Sequence, residues 1–298
     1  GKGLIADSHE LGCGVLGRSG TPIASWFMNE SDLLLVFGAS FSNHTGITPK
    51  KPTIQVDFDP MALSKFNKVD VALWGEISET IKLLTTETQG KTKTENQRKD
   101  IAKRWIIWKE EKLSRLKDCG DALSSIAVFN AMNKVAPDNA VIAVDVGNNT
   151  YSFGRYFESK NQAVLMSGYL GSIGFALPAA MGAWAAQGNE RPIWSVSGDG
   201  GLGQYLAEIN TLVKYKMNIK HIVLNNSELG KISKEQRASQ VDVWQTSLSN
   251  PNFAKYAVNC SALGIRVEKL KDLIPAMEKL KAHNGPALLE VITDVNLI

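Results

Sequence analysis

Two short runs carry the residue types that could do chemistry. Ser197-Gly198-Asp199-Gly200-Gly201 closes one apolar stretch and Leu224-Asn225-Asn226 closes the next, so Asp199 and Asn226 lie 27 residues apart. The context predicts a strand over 193–197, a glycine turn, a helix over about 202–216 and a strand over 221–224. In such a βαβ unit both residues leave the C-terminal ends of parallel strands, the edge where open α/β sheets bind ligands. A carboxylate and an amide oxygen converging there suit a hard cation such as Mg²⁺, which prefers oxygen ligands and shares them with phosphates. The glycines let backbone N–H groups approach an anion, and the helix N-terminus after them favours negative charge. A diphosphate tied to the chain through Mg²⁺ is the chemistry expected. Taken alone Gly-Asp-Gly-Gly could be a plain turn; the Asn-Asn pair at this spacing favours binding.

Stepping outward, short apolar runs alternate with helical patterns, which predicts α/β architecture with parallel sheets in three layers. Buried strands are expected at 33–37 (LLLVF), 53–58 (TIQVDF), 141–146 (VIAVDV), 193–197 (IWSVS), 221–224 (HIVL) and 287–292 (ALLEVI). The polar stretch 85–99 (TTETQGKTKTENQRK) reads as a linker. The expected division is therefore a first domain over 1–88, a linker over 89–99 and a second domain over 100–298. Residues 161–189 hold no charge, but their glycines and Pro178 predict a buried helix packed on a sheet in place of a membrane span.

Two glycine patterns near the start invite a nucleotide. Gly12-Cys-Gly14-Val-Leu-Gly17 matches G-x-G-x-x-G, yet no strand is expected before it, and Asp32 begins a strand where a ribose-binding acid should end one. Gly38, which ends one strand, and Asp57, near the end of the next, fit that geometry better. Asp59 before Pro60 reads as a turn former.

The Asp199/Asn226 pair resembles the thiamin-diphosphate motif, GDG followed by some two dozen residues and NN. The resemblance extends to Gly171-Ser-Ile-Gly-Phe-Ala-Leu-Pro178, similar to that family's GxMGxxxP segment, and to Asp145-Val-Gly147-Asn148-Asn149, similar to its first phosphate-side loop. The acetolactate synthase and pyruvate oxidase branch fits best, over nearly the whole chain. The resemblance implies that Asp199, Asn226 and the main-chain oxygen of Glu228 hold Mg²⁺. It implies that Gly147, Asn148, Asn149, Gly198, Gly200, Gly201, Leu229 and Gly230 surround the cofactor's diphosphate side, with Gly171 at the aminopyrimidine. Ile173 matches the bulky apolar residue that bends the cofactor, although by residue type alone plain core packing is the simpler reading. Ile232 and Glu235 match an active-site Ile and Glu, whereas Lys231 departs from the apolar or aromatic residue expected there.

The same resemblance makes the first domain part of a flavin-type middle domain, with Gly38 and Asp57 in its signature stretches. Ser40 stands where many acetolactate synthases have Arg, which weakens the case for FAD. The implied activity is decarboxylation of a 2-oxo acid with transfer of the acyl carbanion. No part of the sequence matches the pyrimidine-binding domain. The chain is thus expected to be a fragment or split subunit, inactive by itself and assembling as a homodimer or homotetramer. A nucleotide-binding module for NAD or FAD and a non-catalytic subunit are the alternatives.

Composition sets outer limits. The 298 residues are 44% hydrophobic and 21% charged, which excludes disorder, collagen and disulfide scaffolds. With 33 Lys plus Arg against 30 Asp plus Glu, the net +3 is too small for a dedicated nucleic-acid binder. Ten basic and four acidic residues fall within 91–117, read as a solvated linker and helix face. Cys13, Cys119 and Cys260 are isolated, as are the four histidines, so neither disulfides nor zinc is expected and a cytoplasmic setting is.

Overall fold

The computed structural model describes residues 1–39, 42, 45–46, 51–91, 95–116, 122–168 and 170–296. Ser40, His44 and Cys119 lie outside them. The elements in chain order are α1 (Pro22–Glu30), β1 (Leu34–Phe37), β2 (Thr53–Asp57), β3 (Val71–Trp74), α2 (Ile77–Thr88), α3 (Arg98–Arg115), α4 (Ser125–Val135), β4 (Val141–Val144), α5 (Asn148–Tyr156), β5 (Ala163–Met166), α6 (Ala176–Gln187), β6 (Ile193–Gly198), α7 (Asp199–Gln204), α8 (Glu208–Lys214), β7 (Ile219–Asn225), α9 (Gly230–Ala238), α10 (Phe253–Asn259), β8 (Leu263–Val267), α11 (Leu270–Ala282) and β9 (Ala287–Ile292). They form two compact units. His9–Trp108, with Gly1, makes one; Lys109–Ile298, with Lys2–Ser8, makes the other.

The first unit holds a parallel sheet in the order β1-β2-β3. Thr21 caps α1 by accepting from the Ala24 amide at 3.2 Å, and Pro22 supplies the preset φ favoured at a helix start. Within this unit Trp105 Nε1 donates to the Gly12 carbonyl at 2.8 Å, and the Arg104 guanidinium lies 3.5 Å from the centroid of the Trp26 ring. No described strand precedes the Gly12–Gly17 turn, and α1 starts only at Pro22, so the strand-to-helix context of a dinucleotide fingerprint is absent there.

The second unit is built on six parallel strands in the order β5-β4-β6-β7-β9-β8. β4 and β7 are buried at every position, and β6 and β9 nearly so, as expected for a parallel sheet covered on both faces. On one face Leu177 and Ala180 of α6, Ile209 and Leu212 of α8 and Phe253 of α10 pack on Ala143, Ile219, Val223 and Leu288. Phe153 of α5 meets Phe129 of α4 edge-on at 5.7 Å and stacks on Phe157 at 4.6 Å, so α5 is anchored by about 0.5–1.5 kcal/mol per ring pair beyond area burial. Residues Lys2–Ser8 dock on this unit. The Asp7 amide donates to Ser159 O at 2.8 Å, and Asp7 Oδ2 accepts from the Ser159 amide at 2.7 Å and from buried Lys2 at 2.8 Å.

Three local readings change. Residues 161–189 are not one buried helix: they contain β5 and a helix only over α6, because Gly171 and Gly174 take φ values of +68° and +85° that break a continuous helix. The helix expected over about 202–216 begins at Asp199 itself and is split into α7 and α8, so the glycines form its first turn. The polar stretch 85–99 is helical through Thr88. Among the described residues no helix is long and apolar enough to cross a membrane.

Candidate functional site

The chain runs from β4 through α5 to β5 on one side, then crosses back through α6 to β6 on the other side of β4; the strand order reverses at β4, which opens a crevice at the C-terminal ends of these strands. A cavity of about 310 Å³ lies there. Its walls are the segments that follow β4 (Val146, Gly147, Asn148, Asn149), β6 (Gly198, Asp199, Gly200, Gly201), β7 (Asn226, Glu228, Leu229, Gly230) and β9 (Thr293, Asp294), with Gly171 and Ile173 from the loop before α6.

Strand register brings Asp199 and Asn226 together. Gly198 pairs with Leu224 across β6 and β7, so the two chains leave the sheet at the same level. Asp199 is only 3% exposed. Its Oδ1 accepts from the Gly200 amide at 3.0 Å and its Oδ2 from Asn250 Nδ2 at 2.7 Å; burial pushes its carboxyl above the ordinary value, against these hydrogen bonds.

The two asparagines divide the work. Asn225 is internal scaffold: its oxygen accepts from Asn250 Nδ2 at 2.9 Å, and its amide donates to buried Glu290 at 2.8 Å. Asn226 lines the cavity, its oxygen accepting from the Glu228 amide at 3.1 Å. Between them Ser227 takes φ +55°, uncommon for a residue with a Cβ, and turns the chain sharply. The Glu228 carbonyl accepts from the Gly230 amide at 2.8 Å, which leaves a lone pair. Its buried Oε1 lies 3.5 Å from the Arg237 guanidinium, an ion pair without hydrogen-bond geometry. Gly230 is required by close approach: a Cβ there would stand 2.9 Å from Asn148 Nδ2 and 3.3 Å from Asn226 Nδ2.

Asp145, fully buried at the end of β4, ties the walls together. It accepts from the amides of Val146 at 2.8 Å, Gly174 at 3.1 Å and Phe175 at 3.1 Å. Burial drives its pKa up to about 6 in spite of those three bonds.

The remaining sequence candidates separate. Ile173 is 38% exposed and Ile232 46% exposed, and both line the cavity, so Ile173 is not a core residue. Glu235 does not line it and ion-pairs with Lys231, which does. Gly38 and Asp57 belong to the first unit, where Asp57 is buried and its Oδ1 accepts from the Asp59 amide at 3.0 Å. Ser125, Thr293, Asp294 and Asn250 were missed. Only Asp294, an acid just past a buried strand, carried a readable signal.

The donor set decides what this cavity could hold. A carboxylate, a side-chain amide and a main-chain carbonyl are hard oxygen ligands suited to Mg²⁺, and among the described residues no cluster of three His, Cys, Asp or Glu offers a softer metal a site. Turns lined by glycine let an anion approach the backbone closely.

Residues 145–291 match the profile of the thiamine pyrophosphate enzyme C-terminal TPP binding domain, and residues 1–84 match that family's central domain. The chain belongs to the thiamine pyrophosphate enzymes. The Bacillus subtilis protein YdaP, whose name marks it provisionally as thiamine pyrophosphate-containing, is 32% identical over 294 residues, 98% of this chain and 50% of that protein. The acetolactate synthase large subunit of Cyanidium caldarium is 30% identical over 305 residues (98% and 51%), and that of Corynebacterium glutamicum is 28% identical over 309 (97% and 48%). This member of the family spans about half the length of the curated relatives it matches.

Proposed function

We infer that this chain holds thiamin diphosphate through Mg²⁺ in the cavity above β4, β6 and β7 and carries half of a 2-oxo-acid decarboxylase of the acetolactate synthase or pyruvate oxidase type. The supporting observation is the convergence of Asp199, Asn226 and the loops at 147–149, 198–201 and 228–230 on one cavity at the sheet's switch point. The proposed division puts the central domain within residues 1–88, a linker at 89–99 and the cofactor domain within 100–298, although by packing Lys2–Ser8 join the second unit and residues 100–108 the first.

In this reading Asp199, Asn226 and the Glu228 carbonyl hold the cation, and Gly147, Asn148, Asn149, Gly200, Gly201 and Gly230 surround the diphosphate. Gly171 meets the pyrimidine through its backbone. Ile173, apolar and projecting into the cavity, sets the shape of the bound cofactor and lowers local polarity, which favours charge-neutral over separated states. Leu229 packs beside the diphosphate, Ile232 borders the substrate side, and Glu235 manages protons from the rim. Bound cofactor supplies the electron sink for loss of CO₂ from a 2-oxo acid.

Every wall of the cavity comes from the second unit. In this reading further polypeptide or a partner subunit supplies the pyrimidine-binding domain, in a homo-oligomer within the cytoplasm. The test is pyruvate consumption by the 298-residue chain and by a version carrying an added N-terminal pyrimidine-binding domain. Turnover is expected only from the second, with cofactor and Mg²⁺ both present. Turnover by the shorter chain, or none from the longer one despite cofactor binding, would overturn the catalytic assignment.

A further inference from the structure

The charge around the cavity is lopsided. Its lining includes the carboxylates of Asp199, Glu228 and Asp294, and Lys231 is the one cation on the wall among the described residues. Lys231 follows Gly230 in the first turn of α9. Its ammonium is steered by two groups outside the cavity lining: the Glu235 carboxylate one turn along α9, and the ring of Tyr151 on α5, whose centroid is 5.9 Å away. The Glu235 side chain is 60% exposed and that of Lys231 30% exposed. An ion pair so open to water is weakly held, so an anion entering the cavity can compete for the ammonium. An ammonium also has three N–H donors, more than Glu235 uses.

We propose that Lys231 forms a subsite for the anionic group of a second substrate, so that the acyl acceptor at this site is an anion. The proposal rests on the cofactor reading above. A cation that gripped the carboxylate lost as CO₂ would stabilise the ground state over a transition state in which that charge disperses, and would slow the reaction. A fixed positive charge serves an anion that keeps its charge throughout: the carboxylate of a second 2-oxo acid, or inorganic phosphate. Neutral acceptors such as water, oxygen or a quinone gain nothing from it.

The experiment is calorimetric titration of the full chain, loaded with thiamin diphosphate and Mg²⁺, with oxamate (an unreactive analogue of pyruvate) and separately with phosphate. Lys231→Met should weaken binding of one of them about tenfold or more, the scale of a charge-assisted hydrogen bond. Which anion responds distinguishes the two sources. Lys231→Arg should preserve the affinity, Glu235→Gln should raise it by freeing the ammonium, and Lys231→Met should leave cofactor affinity within about twofold. Equal anion affinity in wild type and Lys231→Met, or no anion binding by wild type, overturns the proposal. So does loss of cofactor affinity in Lys231→Met, which would place the ammonium on the diphosphate instead. If wild type fails to take up the cofactor at all, the cofactor reading falls, and titration of the cofactor-free chain still decides whether Lys231 binds anions.

Discussion

Asp145 and Gly201 touch so closely that a Cβ at position 201 would stand 2.2 Å from Asp145 Oδ2. The carboxylate cannot retreat, because three backbone amides from two segments hold it. The end of β4, the loop before α6 and the first turn of α7 are therefore fastened at one buried point beneath the cavity.

Gly201→Ala should for this reason be costly although it adds a single methyl. Overpacking of a held core typically costs about 1–3 kcal/mol. Denaturant unfolding should report a loss in that range together with weaker cofactor binding, whereas Gly203→Ala, where a Cβ meets nothing within 4 Å, should be close to neutral.

Asn250 joins Asp199 Oδ2 to Asn225 Oδ1 with one amide group. Asn250→Ala would leave both acceptors short of a donor, at a cost of about 1–3 kcal/mol. The Asp199 carboxyl, already raised by burial, would lose a bond that favours its charged form. Mg²⁺-dependent binding should then weaken and its onset move to higher pH.

Two buried groups give the stability opposing pH dependences. Asp145 has its pKa raised from 3.8 to about 6, so its stabilisation is full below 3.8 and lost as pH rises through about 6. His221, fully buried between Ser195 Oγ at 2.7 Å and Ser197 Oγ at 2.9 Å, is lowered from 6.5 to about 3. Its contribution is present above 6.5 and lost as pH falls toward about 3. From pH 7 to pH 5 each term amounts to about 1–2 kcal/mol, with opposite sign. Unfolding free energies should accordingly show a steeper loss on acidification in Asp145→Asn than in wild type, and a shallower one in His221→Gln.

How far the sequence could be read depends on burial. The strands at the centre of the large sheet are buried on both faces and mainly apolar, so they announced themselves by composition, and with them the edge where Asp199 and Asn226 emerge. β3 escaped notice because its apolar run is only four residues long, too short to show a period. β5 was concealed inside a long uncharged run. β8 carries Gly264, which reads as a strand breaker; its role is spatial, since a Cβ there would stand 2.0 Å from the Ala254 carbonyl oxygen of α10. Around the cavity, residues on turns directly after strands were legible from glycine and amide spacing. Asn250 was not, because it reaches Asp199 from 51 positions away and no local pattern encodes that contact.

The central claim is that Asp199 ties a diphosphate to this chain through Mg²⁺. Calorimetric titration of thiamin diphosphate into the folded chain, with Mg²⁺ and with a chelator, tests it most directly. Binding is expected with Mg²⁺ only, and Asp199→Ala should abolish it while circular dichroism shows the fold retained. Absence of binding to wild type in Mg²⁺, or undiminished binding to a folded Asp199→Ala variant, would contradict it.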